Sequence, residues 1–205
     1  MTSKQKLTIL DVTRREGISS KTGRHYDMRI AECVLWQTTS EGEDAVVGTI
    51  MLPDALKDAV KGDYLGDFIL MRSMEGQLVP RLVASQPYGD GTRPSAPVKK
   101  QRLTILSVVR REGISSKTGR PYDMRTAQCV LWQATPDGDR AVVGTVPLPE
   151  IAKETGKGEY FAEMAMAQSM DGALVPRIVA LQPYVTNTRP TATPKAAAAA
   201  AAAAA

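Results

Sequence analysis

The sequence RREGISSKTGR occupies residues 14–24 and recurs letter for letter at residues 110–120. The recurrence belongs to a longer repeat, because residues 6–88 align with residues 102–184 at a constant offset, without insertion or deletion. About three aligned positions in five are identical. Surface loops usually drift faster than the strands they connect. A basic loop that stays constant while its module changes therefore indicates that the loop carries the function.

The repeat divides the chain into two domains. Two modules of about 85 residues match the size of small domains that each bury one core, and exceed the roughly 20 to 50 residues of a solenoid unit. We predict a first domain at residues 1–88, a Gly- and Pro-rich linker at 89–101, a second domain at 102–184 and a flexible tail at 185–205. The terminal alanine run is either low-complexity sequence or a placeholder for residues of unclear identity, and it is assigned no function.

Charge is nearly balanced within each module. The net formal charge of the chain is +4, but residues 1–88 carry 11 basic and 12 acidic side chains, and residues 102–184 carry 10 and 9. Binding of a polyanion by either module would therefore depend on a local pattern of charge and not on a global field.

The two cysteines, Cys33 and Cys129, occupy the same position of each module within apolar runs. A disulfide framework would require pairs inside a module, so we predict buried thiols in a reducing cytoplasm. No apolar run reaches the roughly 18 residues that a membrane span requires. We expect a soluble, unexported, cytoplasmic protein with no membrane partner.

The pattern of each module is mostly β. Short apolar runs bounded by Gly, Pro or charged turns predict five strands in the first module, at residues 7–13, 31–37, 45–52, 64–71 and 78–84. One segment, residues 53–60, has a proline near its start, helical spacing and a following glycine, and is predicted to be a short helix. We predict an all-β fold of two tandem five-stranded OB-like barrels, each with a projecting basic hairpin and one short helix.

Residues 14–29 are predicted to form that hairpin, with glycines and polar residues at its tip. Its basic side chains are Arg14, Arg15, Lys21, Arg24 and Arg29. Only two acidic side chains accompany them, which gives a local charge of +3 in a module that is otherwise negative. Tyr26 and Met28 stand two residues apart and so share one face of a strand beside the basic tip.

A basic hairpin with an aromatic side chain has the two features that single-stranded nucleic acid requires. Phosphates need cations, and unstacked bases need a flat apolar surface, which contributes about 1 to 3 kcal/mol per base. The alternative is a solvated charged hairpin whose Tyr26 packs against its own sheet. Exact repetition of the loop favours binding.

The module resembles the filamentous-phage single-stranded DNA-binding proteins, the gene V or helix-destabilising family, in the order and approximate spacing of its residues. The matching residues are Gly17-Ile18-Ser19, Gly23-Arg24, Tyr26, Met28, Cys33, Gly62-Asp63-Tyr64 and Leu78-Val79-Pro80-Arg81-Leu82-Val83. The resemblance implies a five-stranded OB-like protein with a DNA-binding wing. It also implies a symmetric dimer that coats the displaced phage strand cooperatively in the bacterial host cytoplasm and represses translation of some messages.

The resemblance also implies a set of DNA-binding residues. In the first module these are Arg15, Lys21, Arg24, Tyr26, Met28 and Arg81, and in the second Arg111, Lys117, Arg120, Tyr122, Met124 and Arg177. The basic content of the hairpin adds Arg14 and Arg29, with their repeats Arg110 and Arg125.

The chain departs from the family at its aromatic positions. Val34 and Val130 follow the cysteines where the family has an aromatic residue, and methionines replace its late-hairpin phenylalanine. The candidate stacking residues are therefore Trp36, Trp132, Met74 and Met170. Each tryptophan is either such a stacking surface or part of the core.

Duplication predicts that the two modules pair within one chain. If a module normally pairs with a copy of itself, the linker makes that contact intramolecular, at an effective concentration of about millimolar. Residues 66–72 and 162–168 share no identity, as expected for an interface that has specialised on each side. The alternatives are two independent beads, or drift in one strand. Further self-association along single-stranded DNA is an additional expectation.

Catalysis has little support in the sequence. His25 is the only histidine, and Pro121 replaces it in the second module, so no imidazole base is common to both. No cysteine cluster or phosphate loop is present, and we predict no enzyme activity, cofactor or metal.

We predict a sequence-tolerant protein that binds and protects single-stranded DNA during phage-type replication. The alternatives are an OB-like module that docks an acidic protein partner, or an RNA-binding translational repressor. Duplex recognition is the least supported, because nothing resembles a recognition helix.

Overall fold

The computed structural model describes residues 4–20, 22–89, 100–116, 118–135 and 138–184. In these residues the chain is all-β and forms two antiparallel five-stranded sheets in tandem, which confirms the predicted all-β class and the five strands of each module. Most of the predicted linker and all of the predicted tail lie outside the described residues.

Each sheet is built from five consecutive strands. The first sheet contains β1 Lys4–Ile18, β2 His25–Thr39, β3 Gly42–Leu52, β4 Gly62–Arg72 and β5 Leu78–Pro87, in the order β3-β2-β1-β4-β5. The second contains β6 Gln101–Ile114, β7 Pro121–Thr135, β8 Gly138–Leu148, β9 Gly158–Gln168 and β10 Leu174–Pro183, in the order β10-β9-β6-β7-β8. Among the described strands neither sheet closes into a barrel, because its two end strands form no ladder with each other.

The predicted helix at residues 53–60 is wrong in extent. Only Asp54–Leu56 is helical, as a single 3-10 turn, and Glu150–Ala152 is its equivalent in the second module. Pro53 supplies no side-chain cap, and none of the three residues of the first turn is buried. Only one residue of the turn faces the core, Leu56 in the first module and Ala152 in the second, and this little packing does not offset the nucleation of a longer helix. No helix in the described part of the chain is long and apolar enough to cross a membrane.

Alternation along β1 and β2 directs one face of each sheet into a common core. Leu7 and Ile9 point inward from β1, and Ala31, Cys33 and Leu35 from β2. A strand sends successive side chains to opposite faces, so the intervening residues lie on the outer face. The buried apolar side chains of the two sheets form one contiguous cluster.

Two glutamines join the modules across this core. The Gln37 amide donates to the Met166 carbonyl at 2.8 Å and accepts the Met166 N–H at 2.9 Å. Gln133 makes the same pair of bonds with Leu70, at 2.6 and 2.9 Å. Because the two contacts exchange the roles of the modules, they follow an approximate two-fold relation.

The turn after β4 and the turn after β9 each contact the other module. The Thr145 N–H donates to the Gly76 carbonyl at 2.9 Å, and the Thr49 N–H donates to the Gly172 carbonyl at 2.9 Å. Gly48 permits this approach, since a Cβ there would lie 2.7 Å from a methyl group of Leu174. The turns of these two hairpins therefore contact the sheet of the neighbouring module.

The cysteines are buried thiols, as predicted. Desolvation raises the pKa of Cys33 to about 12 and that of Cys129 to about 11, and the Cys33 thiol lies 3.3 Å from the Gly48 carbonyl. Only the thiolate is nucleophilic. We therefore expect iodoacetamide at pH 8 to label the native chain at least about a hundredfold more slowly than the chain unfolded in urea. Mass spectrometry of labelled cysteines measures this, and comparable rates in the two states would contradict it.

Candidate nucleic-acid interface

The candidate site lies on the projecting hairpins at residues 14–29 and 110–125, here called the wings. In the first wing β1 and β2 remain paired as far as Ile18 opposite His25. The tip closes through a bond from the Ser19 N–H to the Arg24 carbonyl at 2.9 Å. Gly23 adopts a φ of 65°, a left-handed conformation that glycine adopts without steric cost. The predicted hairpin is thus present, and its glycine serves the turn.

Strand register sorts the wing side chains onto two faces. Arg15 lies opposite Met28 and Gly17 opposite Tyr26, so these residues share one face. The other face holds two opposite pairs, Arg14 with Arg29 and Glu16 with Asp27. The second wing has the same register.

Arg14 is neutralised on its own face. Its guanidinium donates two bonds of 2.9 Å to Asp27 and lies 2.8 Å from Glu16. The hydrogen bond from Arg14 holds the pKa of Asp27 below its ordinary value. Arg110 repeats the arrangement, with bonds of 3.0 and 3.2 Å to Asp123. These two predicted DNA-binding arginines therefore have their charge balanced within the wing.

Arg29 and Arg125 anchor the wings to the body of each module. The Arg29 guanidinium donates to the Lys57 carbonyl, just after the 3-10 turn, and Arg125 donates to the equivalent Lys153 carbonyl. Arg125 also lies 3.6 Å from Glu154. Both arginines are predicted site residues that the structure places in fold-stabilising contacts.

Four predicted arginines of the wings remain available. The side chains of Arg15, Arg24, Arg111 and Arg120 are exposed and form no ion pair or hydrogen bond with the part of the chain that the structure describes. Arg15 and Arg111 share the face of the wing tyrosines. Lys21 and Lys117, also predicted, lie outside the described residues.

The wing tyrosine lies across a glycine of the paired strand. A Cβ on Gly17 would be 2.9 Å from the Tyr26 hydroxyl and 3.1 Å from its Cζ, and Gly113 relates to Tyr122 in the same way. The rings nevertheless stay 36% and 41% exposed. One side of each ring is thus supported by the wing while part of the ring faces solvent. Sequence reasoning missed this role of Gly17, although the strand pairing would have revealed it.

The neighbouring methionines of the wings differ in exposure. Met28 is half-buried, whereas Met124 is 56% exposed. Both extend the apolar surface of the tyrosine along the same strand face.

Trp36 and Trp132 lie on the outer face of their sheets and not in the core. They are 47% and 40% exposed. The Lys6 ammonium lies 5.7 Å from the Trp36 ring centroid and 5.0 Å from that of Tyr88. In the second module Arg102, Trp132 and Tyr184 form the same stack, at 5.6 and 5.1 Å. Lys6, Tyr88 and their equivalents in the second module were not among the predicted site residues, although both modules repeat their chemical types.

Met74 and Met170 are fully exposed at the tips of the hairpins that contact the other module. Each tip lies beside an edge strand of the other module, β8 for the first tip and β3 for the second. These edge strands are paired with β7 and β2, which each form one side of a wing. A surface that includes a wing and such a tip would therefore draw side chains from both modules.

The predicted arginines of the last strands have different surroundings. Arg177 lies 3.3 Å from Glu41 of the first module. The Arg81 side chain is exposed and forms no ion pair or hydrogen bond with the described residues. Arg177 therefore contributes to the contact between modules.

The described residues include no group of three or more side chains that could hold a metal ion.

A scan against protein-family models and a search of the curated proteins gave no match for the chain.

Proposed function

We propose that the chain is a sequence-tolerant single-stranded DNA-binding protein that coats and protects DNA during phage-type replication. The observation that carries the proposal is the placement of Arg15, whose side chain pairs with no described residue, on the same wing face as the exposed Tyr26. Arg111 and Tyr122 repeat it in the second module. This face offers a cation for phosphate next to a ring for an unstacked base.

The distribution of ion pairs supports a single binding face on each wing. The Arg14 face is balanced by Asp27 and Glu16. The net positive charge of the wing therefore belongs to Arg15 on the tyrosine face, to Arg24 at the tip and to Lys21, which lies outside the described residues. A polyanion in a module of nearly balanced total charge would be directed to these positions.

We also propose that the two modules act as one pseudo-dimer of OB-like units. In each sheet the first strand pairs with both the second and the fourth, an order compatible with a partly open five-stranded barrel. The glutamine contacts hold the two wings in a fixed relation. A single strand that follows both wings would gain from two linked sites without a second chain.

The test is fluorescence anisotropy of labelled oligo(dT) in a salt series, with matched ring variants. Tyr26→Leu with Tyr122→Leu removes both rings, and Tyr26→Phe with Tyr122→Phe keeps them. Because stacking contributes about 1 to 3 kcal/mol per base, we expect the leucine variant to bind at least about tenfold more weakly and the phenylalanine variant within about threefold of wild type. Both should keep their melting temperature, since the rings lie on exposed wings.

Competitors separate the other functions in the same assay. Displacement by an acidic peptide at equal potency in the leucine variant would favour a protein-docking module. Tighter binding of oligo(U) than of oligo(dT) would favour a translational repressor. Equal affinity of the wild-type and leucine chains for DNA would contradict stacking on the wings.

A further inference from the structure

The two-fold relation between the modules is broken at the turn between β2 and β3. Glu163 of β9 is 3% exposed, and its carboxylate accepts the Ser40 N–H of that turn at 2.6 Å. Beside it, Arg177 lies 3.3 Å from Glu41. The second module therefore holds the first module's turn by a buried charge-assisted bond and an ion pair.

The equivalent residues of the reverse contact have different chemistry. In the repeat alignment Glu163 corresponds to Asp67, which is one methylene shorter, and Ser40 corresponds to Pro136. Proline has no backbone N–H to donate. The Asp67 Oδ1 atom is buried and forms no hydrogen bond with any described residue. The bond between Glu163 and the Ser40 N–H therefore has no counterpart at Asp67 among the described residues.

We propose that the two modules are matched to each other and not to copies of themselves. In a pair of second modules, Pro136 would stand in place of Ser40, and because proline has no backbone N–H each Glu163 would lose its donor. In a pair of first modules, each Asp67 would fall one bond length short of the Ser40 N–H. A buried carboxylate without its partner is strongly disfavoured, so both like-with-like pairings lose a contact that the mixed pairing keeps.

This specificity concerns the module interface and is independent of nucleic-acid binding. Like-with-like pairing would join separate chains to one another, because one chain holds a single copy of each module. Mixed pairing can be satisfied within one chain, where the linker raises the effective concentration of the partner. The asymmetry therefore favours a closed, self-contained chain.

A double-mutant cycle in the intact chain tests whether the missing bond can be installed. Asp67→Glu supplies the longer acid and Pro136→Ser supplies the N–H. We expect each change alone to leave the melting temperature within about 2 °C, and the pair together to raise it by several degrees beyond their sum. Pro147→Ser, an exposed proline change in β8, is the matched control. Strictly additive effects would overturn the proposal.

Exchange of cleaved chains tests the specificity itself. A protease site placed within residues 90–99 is cut in the folded protein, and the product is mixed with an isotope-labelled cleaved sample until mixed-mass pairs appear in native mass spectra. Mixed pairs of first and second modules should exceed the statistical share of like pairs at least tenfold. In the Pro136→Ser chain, pairs of second modules should appear, because Glu163 then meets a donor. A statistical mixture in the wild type, or no new pairs in the variant, would refute the matching.

Discussion

Arg15→Gln with Arg111→Gln is expected to weaken oligo(dT) binding by about a hundredfold, whereas Arg14→Gln with Arg110→Gln should leave it within about threefold. The figure follows from two lost charge-assisted contacts of roughly 1.5 kcal/mol each. The two variants lose the same charge from adjacent positions of the same strands. They differ in pairing, because Arg14 and Arg110 are held by carboxylates while Arg15 and Arg111 form no bond with described residues.

The salt dependence of the dissociation constant distinguishes phosphate contact from a general loss of charge. Each neutralised phosphate contributes a slope of about 0.7 on a single strand. The Arg15 and Arg111 variant should therefore lose about 1.4 from the slope, and the Arg14 and Arg110 variant should lose almost none. Equal changes in the two variants would mean that only net charge matters and that the wing faces are equivalent.

Local patterns were sufficient to predict the strands and the wing. Leu7 and Ile9 alternate with polar residues and are buried, and Cys33 lies in an apolar run that became a central strand. Gly23 marked the tip of the hairpin. These features depend on neighbours in sequence, where periodicity and turn chemistry carry the information.

The different pairing of the wing arginines could not be predicted in this way. Arg14 and Arg15 are adjacent and chemically identical, and only the strand register decides which of them meets Asp27. The short 3-10 turn likewise depends on how little of Asp54–Leu56 packs against the core, where only Leu56 is partly buried, and the spacing of apolar residues did not reveal this. Side-chain pairing across strands is a tertiary property that residue type alone does not determine.

The contact between the modules could be predicted from the sequence least of all. Gln37 follows Ala31, Cys33 and Leu35 on the inward face of β2, but its residue type does not identify its partner, a backbone 129 positions away. The repeat preserves this glutamine as Gln133. Because the modules also share many exposed residues, its preservation alone did not indicate a contact between them. Only the three-dimensional arrangement shows that these side-chain amides bond to the backbone of Leu70 and Met166, as a neighbouring strand would.

Gln37→Met with Gln133→Met is expected to lower the free energy of unfolding by about 4 to 12 kcal/mol. Methionine keeps the side-chain volume, so the loss reports the hydrogen bonds and not a cavity. Four buried backbone groups, the N–H and C=O of Met166 and of Leu70, would lose their partners, at about 1 to 3 kcal/mol each.

Urea unfolding followed by circular dichroism measures the loss, with Gln128→Met, on the exposed face of β7, as the matched control. Because the whole stability of a small domain is only about 5 to 15 kcal/mol, such a loss would separate the modules before either sheet melts, and the radius of gyration in native buffer should rise. An unchanged radius together with a stability loss below about 1 kcal/mol would mean that the core contacts alone hold the modules together. In that case the fixed relation of the two wings would depend on apolar packing and not on the paired amides.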